Sequence, residues 1–428
     1  MAIPGLATTP AAPAMPMAAA PPLRARLLLM ALYVSVLLSS IAIIEPSPHD
    51  LMMPVLLGAC IIAGVPFERR AALLFLLLLV WNFGGILSLL NVPGQEQTVQ
   101  YTATSIYLSL AAVMYACLFA RDTMLRLVTM RSAYVLTATL ISLVGIAGYF
   151  NLFPHAHDLF APGDRALGAF KDPNVFGPFL IWPALIVIER MLTRRIGIVD
   201  IMVVGILLFG LLLSFSRGAW FHFAVSCAVT VALSLLAAPT SRQRFRIFGL
   251  SAASVVSVAA LLAILLSFNS IGGMFVERAQ LIQNYDVGSG GRFRLQELAL
   301  EALLKFPNGM GPFEFARVHG LQQHNVYLQA FMVYGWIGGM AYIMLLAATF
   351  WIAMRTVLVR TPWQPYLITA LAAFVGEVLE GFVIDTDHWR HFFLLLGMIW
   401  GLAAATLNQT RQRHVLTPHS GMSYVGAA

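Results

Sequence analysis

Apolar runs recur along almost the whole chain, each roughly 17 to 25 residues long, the length an α-helix needs to cross about 30 Å of hydrocarbon. We place them at 27–44, 51–66, 71–90, 101–120, 131–150, 174–190, 196–214, 218–238, 247–268, 325–350, 363–384 and 391–408. In lipid every backbone N–H and C=O must be satisfied internally, so a spanning segment is a helix or part of a closed barrel. The alternating pattern of barrel strands is absent from these runs. Charged residues make up 11% of the 428 positions, against about 25% in soluble domains, which excludes a soluble globular fold. The sequence therefore predicts an all-α polytopic membrane bundle of about twelve transmembrane helices.

A formal charge of +7 invites a nucleic-acid reading, but the arginines sit in small groups between apolar runs rather than on one patch, and that spacing reports topology. No nucleic-acid partner is expected; the partner of such a surface is membrane lipid. Seven alternate connections, from Arg24 and Arg26 to Arg411 and Arg413, hold 17 of the 26 basic residues. By the positive-inside rule both termini are then cytoplasmic. The segments at 151–173, 215–217, 269–324 and 385–390 open on the other side. Residues 1–22 are an uncharged Ala-, Pro- and Met-rich stretch, read as a disordered cytoplasmic tail. Because that stretch precedes Arg24, the first apolar run reads as a retained span and not a cleaved leader. Residues 23–410 form the membrane domain and 411–428 a second cytoplasmic tail. Cys60, Cys117 and Cys227 all fall within spans and read as small core residues, with no spacing for a metal or disulfide framework.

The polar island at 269–324 holds five of the 26 Lys and Arg residues. Within it, RFRLQELALEALLKF follows a Gly-rich turn and places Arg294, Glu297, Glu301 and Lys305 on one helical face. This is an amphipathic helix stopped by Pro307, Asn308 and Gly309, either a plain surface helix or one lying on the membrane. Arg292 falls in its first turn, where free N–H groups and the helix dipole favour an anion. Arg217, in LLLSFSRGAWFHF, has almost no loop to expose it, so it either faces a polar cavity or bound anion or snorkels to the interface. Arg165 and Lys171 form a second cationic group, unless Asp164 and Asp172 simply neutralise them. His324 opens the tenth run; histidine is the side chain suited to take a proton from an alcohol near neutrality, although a lone histidine is more often structural. Glu377 and Glu380 share a helical face and either pair with arginines or line a cavity. Asp385, Asp387, His388 and His391 match no strong metal-ligand spacing and read as an interfacial polar turn.

Taken together, GDRALGAFKDPNVFG, SFSRGAW, SGGRFRLQELALEALLKFPNGMGPFEF and QQHNVYLQAFMVYGWIGG resemble the O-antigen ligase family, which includes O-antigen polymerases and bacterial protein O-oligosaccharyltransferases. The resemblance spans about residues 160–405. It implies an inner-membrane glycosyltransferase whose catalytic loop, here 269–324, lies in the periplasm. The implied donor is a glycan on undecaprenyl diphosphate, and the implied acceptor a sugar hydroxyl of lipid A-core or another glycan. Family arginines that hold the diphosphate map onto Arg217 and Arg292, with Arg165 a third, and the family histidine maps onto His324, followed by Asn325. The implied reaction is an inverting displacement with no metal and no cofactor. The wider substrate-binding set is then Arg165, Lys171, Asn325, Arg294, Glu377 and Glu380. The competing readings are a polymerase with a second lipid-linked glycan as acceptor, a protein O-oligosaccharyltransferase, and a transporter, since twelve spans with intramembrane charge also suit transport.

Overall fold

A computed structural model describes residues 22–278 and 291–416. The expected tail at 1–21, the end of the second tail at 417–428, and the Gly-rich stretch of the island within 279–290 lie outside the described residues. Regular structure among the described residues is entirely helical: α1 (Leu23–Leu37), α2 (Pro48–Ile62), α3 (Ala72–Ser88), α4 (Glu96–Phe119), α5 (Thr123–Tyr149), α6 (Ala156–Phe160), α7 (Pro173–Thr193), α8 (Ile198–Leu213), α9 (Arg217–Ala237), α10 (Ser241–Leu266), α11 (Asn269–Arg278), α12 (Arg292–Lys305), α13 (Glu314–His319), α14 (Val326–Thr356), α15 (Gln364–Glu380) and α16 (Arg390–Leu416), with short 3-10 turns between some of them.

Each of the twelve expected spans falls on one of these helices. Nine among the described residues are long and apolar enough to cross a membrane. The other three, α2, α8 and α15, have 15, 16 and 17 residues, or about 22–26 Å at 1.5 Å per residue, short of the hydrocarbon thickness. Pro178 and Pro183 sit inside α7, which continues past both. α16 runs six residues into the segment read as the second tail.

Helices pack through small residues where their backbones approach closely, as expected when lipid offers no hydrophobic force between them. α3 crosses α14 at Gly84, where an added Cβ would lie 2.2 Å from the Tyr334 carbonyl oxygen. α4 lies along α16, and α9 against α15. The connections at 41–47, 91–95, 150–172, 214–216, 267–278, 291–325 and 381–389 gather at one end of the bundle. There Lys171 pairs with Glu45 at 3.0 Å, Ala166 N–H donates to Leu213 O and Val326 N–H to Gly381 O, each at 2.8 Å. Asn91 Nδ2 donates to Gly309 O at 2.7 Å. At the opposite end Arg70 Nε donates to Asn408, and Arg131 reaches the Tyr366 hydroxyl.

α14 is two helices joined at a break. Gly335 sits at φ 65° and ψ −173°, a region essentially reserved for glycine. The break frees the Met332 carbonyl, which accepts from Met310 N–H at 2.7 Å and Gly311 N–H at 3.2 Å, while Trp336 N–H donates to Pro307 O at 2.8 Å. The loop 306–311 thus docks on α14 by backbone hydrogen bonds. It carries α12 with it, and Leu295, Ala299 and Ala302 of α12 bury against Phe315 and Met332.

Candidate functional site

The sequence around Arg217 forces a helix start at the end of the bundle where the island lies. Ser216 caps α9, its side chain accepting from Ala219 N–H at 3.3 Å, and Arg217 is the first helical residue. Arg165 braces this turn from the 150–172 loop: its Nε donates to Ser214 O and its Nη2 to Asn174 Oδ1, both at 2.9 Å. Asp172 caps α7 in turn, accepting from Asn174 N–H at 2.8 Å. Arg292 is the first residue of α12, after Gly291. Gln296, one turn further on, donates to the Phe382 and His324 carbonyls at 3.2 and 3.4 Å, tying α12 to the start of α14 and the end of α15. Asn325 caps α14, accepting from Tyr327 and Leu328 N–H, and His324 precedes it in the left-handed region at φ 47°.

These segments enclose a cavity of about 990 Å³. Arg165, Arg217, Arg292 and His324 line it together with Glu380 and Asp385, and its apolar wall includes Trp220, Phe275 and Trp389. Two of the arginines open helices, so the N–H groups of those first turns add to the guanidinium charge at the same place. Arginine stays charged under any aqueous condition and offers a planar fork of donors, which suits a phosphate oxyanion. The cavity therefore has the makings of a polyanion site walled by aromatic surface.

His324 adds a proton-transfer group. Its side chain is 46% exposed, and Nδ1 stands 3.5 Å from Asp385 Oδ2. Burial pushes the Asp385 carboxyl above its ordinary range, and the hydrogen bond and charge of His324 pull it back only in part. Two residues on, Asp387 goes the other way. Burial opposes its ionisation too, but the charge and hydrogen bond of His388 and the Tyr101 hydroxyl, 2.6 Å away, outweigh it and hold the carboxyl below the usual range.

The other residues singled out in the sequence lie elsewhere. Lys171 lines a second cavity of about 210 Å³, because the Asp172 cap turns it from Arg165 toward Glu45. Arg294 faces outward and pairs with Glu297 at 2.6 Å. Asn325 is engaged in capping α14 and donates to Phe382 O. Glu377 is fully buried a turn deeper than Glu380, 3.6 Å from His391 Nε2. Glu380 Oε2 meets His222 Nδ1 at 2.8 Å, both side chains being buried, and Glu380 is the one that lines the cavity. The sequence reading did not single out Asp385 as a partner for His324. The two are far apart in the chain, and only the closure of the 381–389 turn over α14 joins them.

Residues 202–343 match the family model described as O-antigen ligase (Wzy_C). The match covers about a third of the chain, which over that segment is similar to the O-antigen ligase family. A search of curated proteins gave no match. The matched segment of the O-antigen ligase family contains Arg217, Arg292 and His324, whereas Arg165 and Asp385, which complete the same cavity, lie outside it. Through that segment the chain is similar to membrane proteins of the O-antigen ligase and polymerase superfamily.

Proposed function

We propose that the chain is an O-antigen ligase-type glycosyltransferase of the inner membrane, with twelve spans, cytoplasmic termini and its cavity on the periplasmic face. It moves a glycan from undecaprenyl diphosphate to a sugar hydroxyl of lipid A-core. The observation that carries this reading is the convergence of Arg165, Arg217 and Arg292 with His324 in one cavity at the edge of the bundle. A preactivated donor is what an enzyme outside the cytoplasm needs, and its diphosphate leaving group calls for held negative charge more than for protonation.

In this mechanism Arg217 and Arg292, braced by Arg165, grip the diphosphate. The acceptor oxygen attacks the anomeric carbon from the face opposite the leaving group. The bond from that carbon to the phosphate oxygen breaks, and its electron pair stays with undecaprenyl diphosphate, whose added charge the arginines stabilise. The hydroxyl proton passes to His324 Nε2, since Nδ1 is turned to Asp385, which holds the ring. The products are the inverted glycoside, undecaprenyl diphosphate and one proton.

The test is lipopolysaccharide from a parent strain and a clean deletion, run beside the extracted lipid-linked intermediates. Bare lipid A-core with accumulated polyprenyl-linked polymer is the expected result. Core capped by a single repeat unit would make the protein a polymerase, and an unchanged pattern would overturn the lipopolysaccharide reading.

A further inference from the structure

At the end of the bundle away from the cavity, α5, α7 and α8 leave a groove of about 310 Å³. Its lining changes character along the helix axes. Arg131 and Ser132 on α5 and Arg190 on α7 stand near the helix ends. Val135, Leu136 and Thr139, Ile186 and Val187, and Val203 on α8 continue it inward. From Arg131 to Thr139 the drop is about 12 Å at 1.5 Å per residue. Leu136 and Ser132 are exposed, so the groove opens sideways, toward where lipid lies around a spanning bundle.

The charge at its mouth is unbalanced. Arg131 donates to the Tyr366 hydroxyl at 3.3 Å, a neutral partner. Arg190 Nη2 pairs with Asp200, but the other Asp200 oxygen accepts from Gly197 N–H at 3.3 Å to cap α8. Arg190 Nε is buried and has no hydrogen-bond partner. Arg194 and Arg195 follow on the exposed connection, so four arginines face two carboxylates, Asp200 and the buried Glu189. A buried guanidinium N–H without an acceptor is costly, and a slot lined by aliphatic side chains beneath it is not a place for a free anion in water. An acidic headgroup with a chain attached satisfies both.

We propose that this groove binds one anionic phospholipid, its phosphate at Arg131 and Arg190 and one acyl chain along Val135, Leu136, Ile186, Val187 and Val203. The site is separate from the cavity, and the proposal does not depend on the transfer reaction.

The purified full chain in a neutral maltoside detergent is titrated with dioleoylphosphatidylglycerol or dioleoylphosphatidylcholine, and bound lipid is counted by native mass spectrometry. The expected result is one retained phosphatidylglycerol, bound more tightly than phosphatidylcholine by about five-fold per arginine. Arg131→Gln removes about five-fold, and Arg131→Gln with Arg190→Gln abolishes the preference. Val135→Trp, which fills the slot without changing charge, lowers occupancy by both lipids. Arg242→Gln with Arg244→Gln, exposed arginines outside the groove, leaves the preference intact. Equal retention of the two lipids by the parent protein would overturn the proposal, as would a preference that survives in Arg131→Gln with Arg190→Gln or an occupancy unchanged in Val135→Trp.

Discussion

Replacing Gly335 by alanine tests whether the break in α14 holds the island in place. The residue sits at φ 65° and ψ −173°, and forcing an L-residue there costs about 1–3 kcal/mol. The new Cβ would also lie 2.7 Å from the Asn308 carbonyl carbon and 2.8 Å from Pro307 O. These are backbone atoms that cannot swing aside, and such overpacking adds about 1–3 kcal/mol. The sum, about 2–6 kcal/mol, is large against a typical stability of about 5–15 kcal/mol. The cheapest relief is for loop 306–311 to lift from α14, breaking the bonds from Met310 and Gly311 to Met332 O and from Trp336 to Pro307 O. Thermal unfolding in detergent at a fixed scan rate reads the global cost, and tryptic cleavage at the exposed Lys305 reads the local one. Gly335→Ala is expected to melt several degrees lower and to be cut faster at Lys305. Gly309→Ala is expected to behave alike, since its Cβ would fall 2.8 Å from Gly335 N, and the double variant to be less than additive. Gly205, inside α8 with nothing within 4 Å of its added Cβ, is the opposite case, and alanine there is expected to stabilise by up to about 1 kcal/mol. A Gly335→Ala protein that melts with the parent and resists trypsin equally would refute the account of the break.

Arg217→Gln and Arg292→Gln are each expected to lower kcat/KM for transfer from a polyprenyl-diphosphate glycan by about 10²–10³ at unchanged inserted protein, with lysine restoring only part because it lacks the planar fork. His324→Ala is expected to lose about 10²–10⁴ in kcat, and Asp385→Asn a smaller share with donor KM unchanged; a donor KM that rises alone in Asp385→Asn would make that residue a donor contact instead. Asp387 supplies a pH dependence of stability. Its folded pKa lies below the ordinary 3.8, so its contribution is present above about pH 4 and fades as pH falls through the lower folded value; Asp387→Asn should flatten that acid limb in detergent melts, and an unaltered limb would refute the assignment.

The architecture was legible because lipid leaves so few choices: runs of spanning length, arginines grouped on alternate connections, and a polar island that no bilayer would hold. Arg217 stood out as a charge with almost no loop to expose it, and Arg292 as a charge in the first turn of an amphipathic helix. What escaped the sequence was whatever depends on the relative rotation and height of helices. Lys171 is six residues from Arg165, yet the cap at Asp172 sends the two to different cavities. Glu377 and Glu380 share a face in any helix, but a rise of three residues, about 4.5 Å, puts Glu380 at the cavity and seals Glu377 against His391. Asn325 could have been read as a helix cap from its place before an apolar run, which would have removed it from the substrate-binding set. Asp385 carried only the weak signal of a polar turn, since its meaning depends on His324, and that pairing exists only because α14 and α15 meet where Val326 N–H donates to Gly381 O. The cavity is thus set by helix ends: Arg217, Arg292 and His324 each stand at or just before the first residue of a helix. A half-turn slip of α9, α12 or α14 would carry one of them out of the cavity while leaving every span intact, so the packing that fixes those starts is as much a part of the site as the side chains.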